Sequence, residues 1–169
     1  MAFRIKPIEK NNKKCEDIIR KTCQGVLSLS CKNEPYAIPL NHAYEDGMFY
    51  FHCPAGGKKI DFLKSNPSVV YTIVRNEDTL DNFKGKSNCH DGKWESIIVY
   101  GRAKYIENER ELKAVFIKFM KYYGKEDYKP AEMSLKSMKA IVLEVEKMTV
   151  RKRLETKITE FYEWEKKRR

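Results

Sequence analysis

The residues best suited to chemistry lie close together between positions 38 and 59. Gly56-Gly57-Lys58-Lys59 stands directly before Ile60-Asp61-Phe62-Leu63-Lys64, which reads as a short helix stopped near Asn66-Pro67. A helix N-terminus carries unpaired N–H groups and a partial positive charge, glycines let a ligand approach the backbone, and lysines add charge, so this turn suits a phosphate, although glycine-lysine turns are also common as plain surface turns. An aromatic stretch just upstream, Phe49 to His52, could wall a planar ligand. The chain has three histidines. His42 and His90 read as structural or surface residues, and His52 is the candidate catalytic group because it shortly precedes the phosphate turn.

Other chemistries find no support. The spacings of a Walker A element, a G-x-G-x-x-G fingerprint, a G-x-S-x-G elbow and an H-E-x-x-H pair are all missing. His52-Cys53 and Cys89-His90 could supply four metal ligands, but the spacing is not that of a zinc ribbon, so no metal site is expected. Five scattered cysteines, an odd number, make a poor disulfide framework and suit a reducing cytosol. The net charge of +10 could mark a polyanion partner. The lysines are spread along the chain, however, and no nucleic-acid-binding pattern accompanies them, so a solvated basic surface is expected and nucleic acid is not.

The elements that must position these residues follow from periodicity. The 169 residues fit one domain, and 41% hydrophobic content is enough for a core. No apolar run approaches a membrane span and the N-terminus lacks a signal-peptide apolar core, so a cytoplasmic protein without a membrane partner is expected. A short helix is expected over 14–22, then strands from Gly25, over Tyr36 to Tyr44, and from Met48 to His52 after the turn Glu45-Asp46-Gly47. Ser68 to Val74 is a β-branched run typical of a buried strand, and Arg75 to Gly92 reads as a long surface loop. Trp94 to Tyr105 is a further strand, with Gly101 at a bulge or close approach. Leu112, Val115, Phe116, Phe119, Met120 and Tyr123 form one helical stripe, with Gly124 at its C-terminal cap. Lys139 to Lys147 alternates as the last clear strand. With no βαβ repeat, the pattern points to a mainly β small barrel with appended helices. The domain is placed at 1–154, and the charged tail 155–169 is expected to be helical or disordered.

Taken in order, Gly25-Val26-Leu27-Ser28-Leu29, Pro35 to Asn41, Asp46 to His52, Gly57-Lys58-Lys59 with Asn66-Pro67, and Trp94 to Ala103 resemble the Nim family, the 5-nitroimidazole-resistance type of pyridoxamine 5'-phosphate oxidase-like flavoproteins. The resemblance spans about Lys14 to Arg153. It implies a six-stranded split β-barrel that forms a homodimer with FMN at the interface. In such proteins the strand resembling Ile38-Pro39-Leu40-Asn41 lines the flavin ring, and Phe51-His52-Cys53 with Gly57-Lys58-Lys59 lie near the ribityl phosphate. The strand carrying Trp94 and Ser96 completes the pocket, from its own or the partner subunit. The implied function is an FMN-dependent reductase that passes electrons from NAD(P)H to a small oxidised or nitro-aromatic substrate. The alternative is a non-enzymatic flavin or haem carrier or sensor, since some related barrels bind haem or a deazaflavin instead. Two features depart from the family: Val150 replaces a glycine before Arg151-Lys152-Arg153, and the tail after Leu154 has no counterpart.

Overall fold

Apolar residues at every second position set the strands, and positive-φ residues set the turns between them. A computed structural model describes residues 4–5, 9–76, 94–129, 136–155 and 158–164. In chain order its elements are β1 (Arg4–Ile5), β2 (Glu9–Lys10), α1 (Asn12–Ile19), β3 (Gln24–Cys31), β4 (Glu34–Asn41), β5 (Ala43–Glu45), β6 (Met48–Pro54), α2 (Lys58–Ser65), β7 (Ser68–Asn76), β8 (Trp94–Ile106), α3 (Glu109–Tyr122), β9 (Met138–Glu155) and β10 (Ile158–Trp164). Two hairpin turns are of the tight, left-handed kind that matches strand twist. Lys32 and Asn33 (φ 48° and 66°) join β3 to β4, and Asp46 and Gly47 (φ 47° and 78°) join β5 to β6.

The described strands form one mainly antiparallel sheet in which β4, β3, β7, β8 and β9 follow one another. The long β9 carries β6 along its first half and β10 along its second, on the side away from β8. β4 and β6 come alongside one another without a hydrogen-bonded ladder, which leaves the barrel split at that seam. Alternate side chains of β3, β6, β7, β8 and β9 fill the interior. Leu27, Phe49, Phe51, Tyr71, Ile73, Ile97, Val99, Ile141 and Leu143 are completely buried there. At about 1.5–3 kcal/mol for each large apolar side chain, this core dominates the stability.

Gly101 sits where the β8–β9 register shifts. A Cβ there would lie 2.0 Å from the Glu144 carbonyl oxygen, so the close approach expected at this glycine is real. α3 starts on Asn108, whose side chain accepts from the N–H groups of Arg110 and Glu111, and Gly124 follows it at φ 79°. Its stripe of Leu112, Val115, Phe116 and Phe119 packs on Tyr50, Ile106 and Ala140, outside the barrel.

The tail differs from expectation. Residues 158–164 are neither helical nor disordered but form β10, antiparallel to β9 and parallel to β1 and β2. Tyr162 and Trp164 alternate into the core at 4% and 6% exposure, opposite Val150 and Met148. A period of two, diluted by charges at the intervening positions, makes this segment a strand once β9 runs on to Glu155 and offers it an edge. The loop expected up to Gly92, with Cys89 and His90, falls outside the described residues from position 77 onward. Among the described residues no helix is long and apolar enough to cross a membrane, and no three metal-ligating side chains are gathered together.

Candidate functional site

The ladder of β4 decides which of its backbone groups are free. The His42 N–H donates to the Cys23 carbonyl at 2.9 Å, making these two a hydrogen-bonded pair. Such pairs alternate along an antiparallel ladder. With Leu40 opposite Gly25 and Ile38 opposite Leu27, these residues turn their N–H and C=O toward β3. Asn41, Pro39, Ala37 and Pro35 turn theirs the other way. Both prolines therefore stand where an N–H would have had no ladder partner, as edge-strand prolines should. No described strand pairs with that edge. The N–H groups of Ala37 and Asn41 and the carbonyls of Ala37, Pro39 and Asn41 thus line an open hydrogen-bonding edge. The side chains of Ile38 and Leu40 pack on the core, whereas those of Pro39 and Asn41 are exposed.

The glycine-lysine turn is tied to the other end of the same strand. Lys58 pairs with Glu34, the first residue of β4, and its ammonium lies 5.4 Å and 5.2 Å from the ring centres of Tyr36 and Phe62. Gly57, at φ 102°, precedes α2 and has no side chain to cap its first turn. Lys59 is buried at 7% exposure and donates to the Gly56 carbonyl at 3.0 Å. The Tyr105 hydroxyl donates to the Ala55 carbonyl at 2.8 Å, which holds the turn from the β8 side. An extended ligand along β4 would meet Lys58 at one end and the Asn41 edge at the other.

The remaining expected residues are placed differently. Phe51 and Cys53 point into the barrel, so only their backbone could meet a ligand. Burial raises the Cys53 thiol despite the nearby Lys59 charge, and pushes Cys15 up to about 12, so neither is a ready thiolate. His52 points out of the barrel, with its ring edge-on to Phe119 at 4.9 Å between centres. Burial lowers its pKa, which leaves a neutral ring at pH 7. Trp94 and Ser96 lie on the outer face of β8, which is separated from β4 by β7 and β3, about 14 Å away at the usual strand spacing. Ser96 stands opposite Arg151, whose guanidinium is stacked between Trp94 at 4.9 Å and Phe161 at 5.6 Å. On the same face Val26, Val74, Ile98 and Tyr100 are 36–65% exposed.

The sequence profile described as Pyridoxamine 5'-phosphate oxidase matches residues 11–152. The chain belongs to this family. Solved members and neighbours share its split-barrel fold. A candidate 5-nitroimidazole antibiotic resistance protein from Bacteroides thetaiotaomicron VPI-5482 superimposes with a TM-score of 0.71 at 22% identity, over 85% of each chain. A FAD-binding protein from Mesorhizobium loti gives 0.64 at 20% identity, over 85% of this chain and 95% of that one. The FAD and haem binding protein of Mycobacterium smegmatis gives 0.66 at 10% identity, over 81% and 67%. No curated protein matches the chain. Within this oxidase-family frame, two residues support the site in ways that their place in the sequence does not show. Tyr71 hides in a β-branched run, yet its hydroxyl donates to the Leu40 carbonyl at 2.9 Å. Gly25 was legible only as part of a motif. A Cβ there would lie 2.7 Å from the Tyr71 ring, so glycine is what lets that ring cross beneath β3.

Proposed function

We propose that this family member is a cytoplasmic FMN-dependent reductase that works as a homodimer. The observation that carries the reading is the open edge of β4, with the uncapped start of α2 and Lys58 fixed at its far end. The residues suit the cofactor. The polar rim of a flavin ring has donors and acceptors that the Ala37, Pro39 and Asn41 backbone can answer, and its phosphate suits Gly57, Lys58 and the α2 N–H groups.

A bound flavin supplies the hydride and electron chemistry. The chain's own residues bind and orient. The Asn41 N–H and the Pro39 carbonyl fix the ring edge, and Lys58 turns from Glu34 to the phosphate. Neutral His52 is the polar side chain proposed to meet a small oxidised or nitro-aromatic substrate, with NAD(P)H as donor. Trp94 and Ser96 are too far from β4 in their own chain to join this site. The exposed apolar face around Val26, Val74 and Ile98 supports a second copy docking there, bringing its Trp94 and Ser96 to complete the pocket.

The test is FMN titration of the parent and of the double variant Lys58→Ala/Lys59→Ala, followed by turnover with NADH or NADPH and a nitro-aromatic acceptor. The variant should bind FMN about tenfold more weakly or worse, since charge-assisted phosphate contacts are lost. Full occupancy in the double variant would refute the placement. Bound FMN without turnover would refute the reductase assignment.

A further inference from the structure

Beneath the β4 edge lies a buried polar chain that no part of the proposed chemistry uses. His42 is completely buried, and its Nδ1 lies 2.9 Å from the Tyr71 hydroxyl. That hydroxyl donates to the Leu40 carbonyl, also at 2.9 Å. One hydroxyl proton cannot serve both neighbours. While Tyr71 donates to Leu40, its oxygen must accept from His42, so the neutral imidazole carries its proton on Nδ1. This leaves Nε2 buried without a partner at hydrogen-bonding distance, the Ile19 carbonyl acting on the ring only from beyond it. Leaving such a group unpaired costs about 1–3 kcal/mol.

The fold bears this cost at one particular place. Phe49, Tyr71 and Tyr122 surround the imidazole at 5.4, 5.6 and 6.3 Å between ring centres. The Tyr123 hydroxyl donates to the His42 carbonyl at 2.8 Å. Gly25 has no side chain, which leaves room for the Tyr71 ring. All these contacts converge on the peptides of Leu40, Asn41 and His42, where the open edge of β4 ends. Peptide groups are planar, so pinning the Leu40 carbonyl toward β3 also aims the Asn41 N–H away from it, toward the open edge.

We propose that Tyr71 and His42 are positioning residues of the flavin edge, acting through the Leu40–Asn41 peptide. The inference rests on the flavin reading above. A barrel strand needs no buried hydroxyl–imidazole chain for stability, and a phenylalanine at 71 would fill the same volume. The hydroxyl's particular effect is on the direction of one ligand-facing N–H.

The experiment is FMN titration, with the absorption spectrum of the bound flavin, on the full chain and two variants. Tyr71→Phe removes only the hydroxyl. Ile73→Val, on the same strand and equally buried, is the packing control. Tyr71→Phe should weaken FMN binding about five- to tenfold, as for one lost hydrogen bond, and should shift the bound-flavin absorption bands. Ile73→Val should lower the melting temperature while leaving affinity and spectrum as in the parent. Parent-like affinity and spectrum in Tyr71→Phe would overturn the inference and leave the flavin reading standing. Equal effects from both variants would also overturn it, because general loosening would then explain them. A parent protein that binds no FMN would overturn the flavin reading itself and this inference with it.

Discussion

Acidification should destabilise this protein through His42 before most of its carboxylates protonate. Burial holds the ring's pKa down from 6.5 to about 4, and the weak opposing pull of the Ile19 carbonyl does not reverse it. The rings around it are Phe49, Tyr71 and Tyr122, and none of these can offset a positive charge as a carboxylate would. Between pH 6.5 and 4 the unfolded chain binds a proton at this position that the native chain does not. Stability therefore rises with pH across that window. The contribution is fully present above pH 6.5 and is lost as the pH falls toward 4. The interval corresponds to about 3 kcal/mol, with a slope of at most about 1.4 kcal/mol per pH unit. Urea unfolding at a series of pH values from about 7.5 down to about 4.5 measures it directly. His42→Asn keeps a donor near Nδ1 but cannot titrate. It should be less stable than the parent at the neutral end of the series and should lose less stability on the way to the acid end. Every other titrating group is common to both proteins and cancels in the difference. Parallel pH profiles for parent and variant would refute the reasoning.

Three further outcomes follow from particular contacts. Gly101→Ala should cost about 3 kcal/mol or more, because its Cβ would meet the Glu144 carbonyl at 2.0 Å; a melting temperature equal to the parent's would contradict so close an approach of β8 to β9 at the bulge. Glu34→Gln releases Lys58 from its carboxylate, so FMN should bind about two- to fivefold more tightly, the range of an exposed ion pair; titration showing weaker binding would contradict the competition. Val74→Lys/Ile98→Lys should convert a dimer into a 20.0 kDa monomer by light scattering, and a dimer that survives both charges would move the interface elsewhere.

Much of this architecture is legible in the residues alone. Period-two alternation over Leu27 and Leu29, and over Ile141, Leu143 and Val145, identifies core faces, because a half-buried strand permits no other pattern. Asp46-Gly47 identifies its hairpin because few residues tolerate positive φ. The tail is illegible for an equally physical reason. Tyr162 and Trp164 become a strand only through the far half of β9, a pairing no local window contains. Site residues divide the same way. The glycine-lysine turn has a local rationale in the helix N-terminus, whereas Tyr71 reaches Leu40 across an intervening strand. The pattern in the sequence can show that Tyr71 is buried, but not that its hydroxyl ends beside the β4 edge. His42 likewise reads as structural, which its burial supports, and its link to Tyr71 exists only because β4 and β7 lie on either side of β3.

If the β4 edge and the start of α2 together hold FMN, the purified protein should be yellow. The most direct measurement is the visible absorption spectrum of the full chain after incubation with FMN and removal of unbound cofactor. The expected result is the two-banded spectrum of protein-bound flavin, at about one FMN per chain from the single β4 edge and α2 start that each chain supplies. A colourless protein, or one showing only a haem Soret band after exposure to both cofactors, would contradict it.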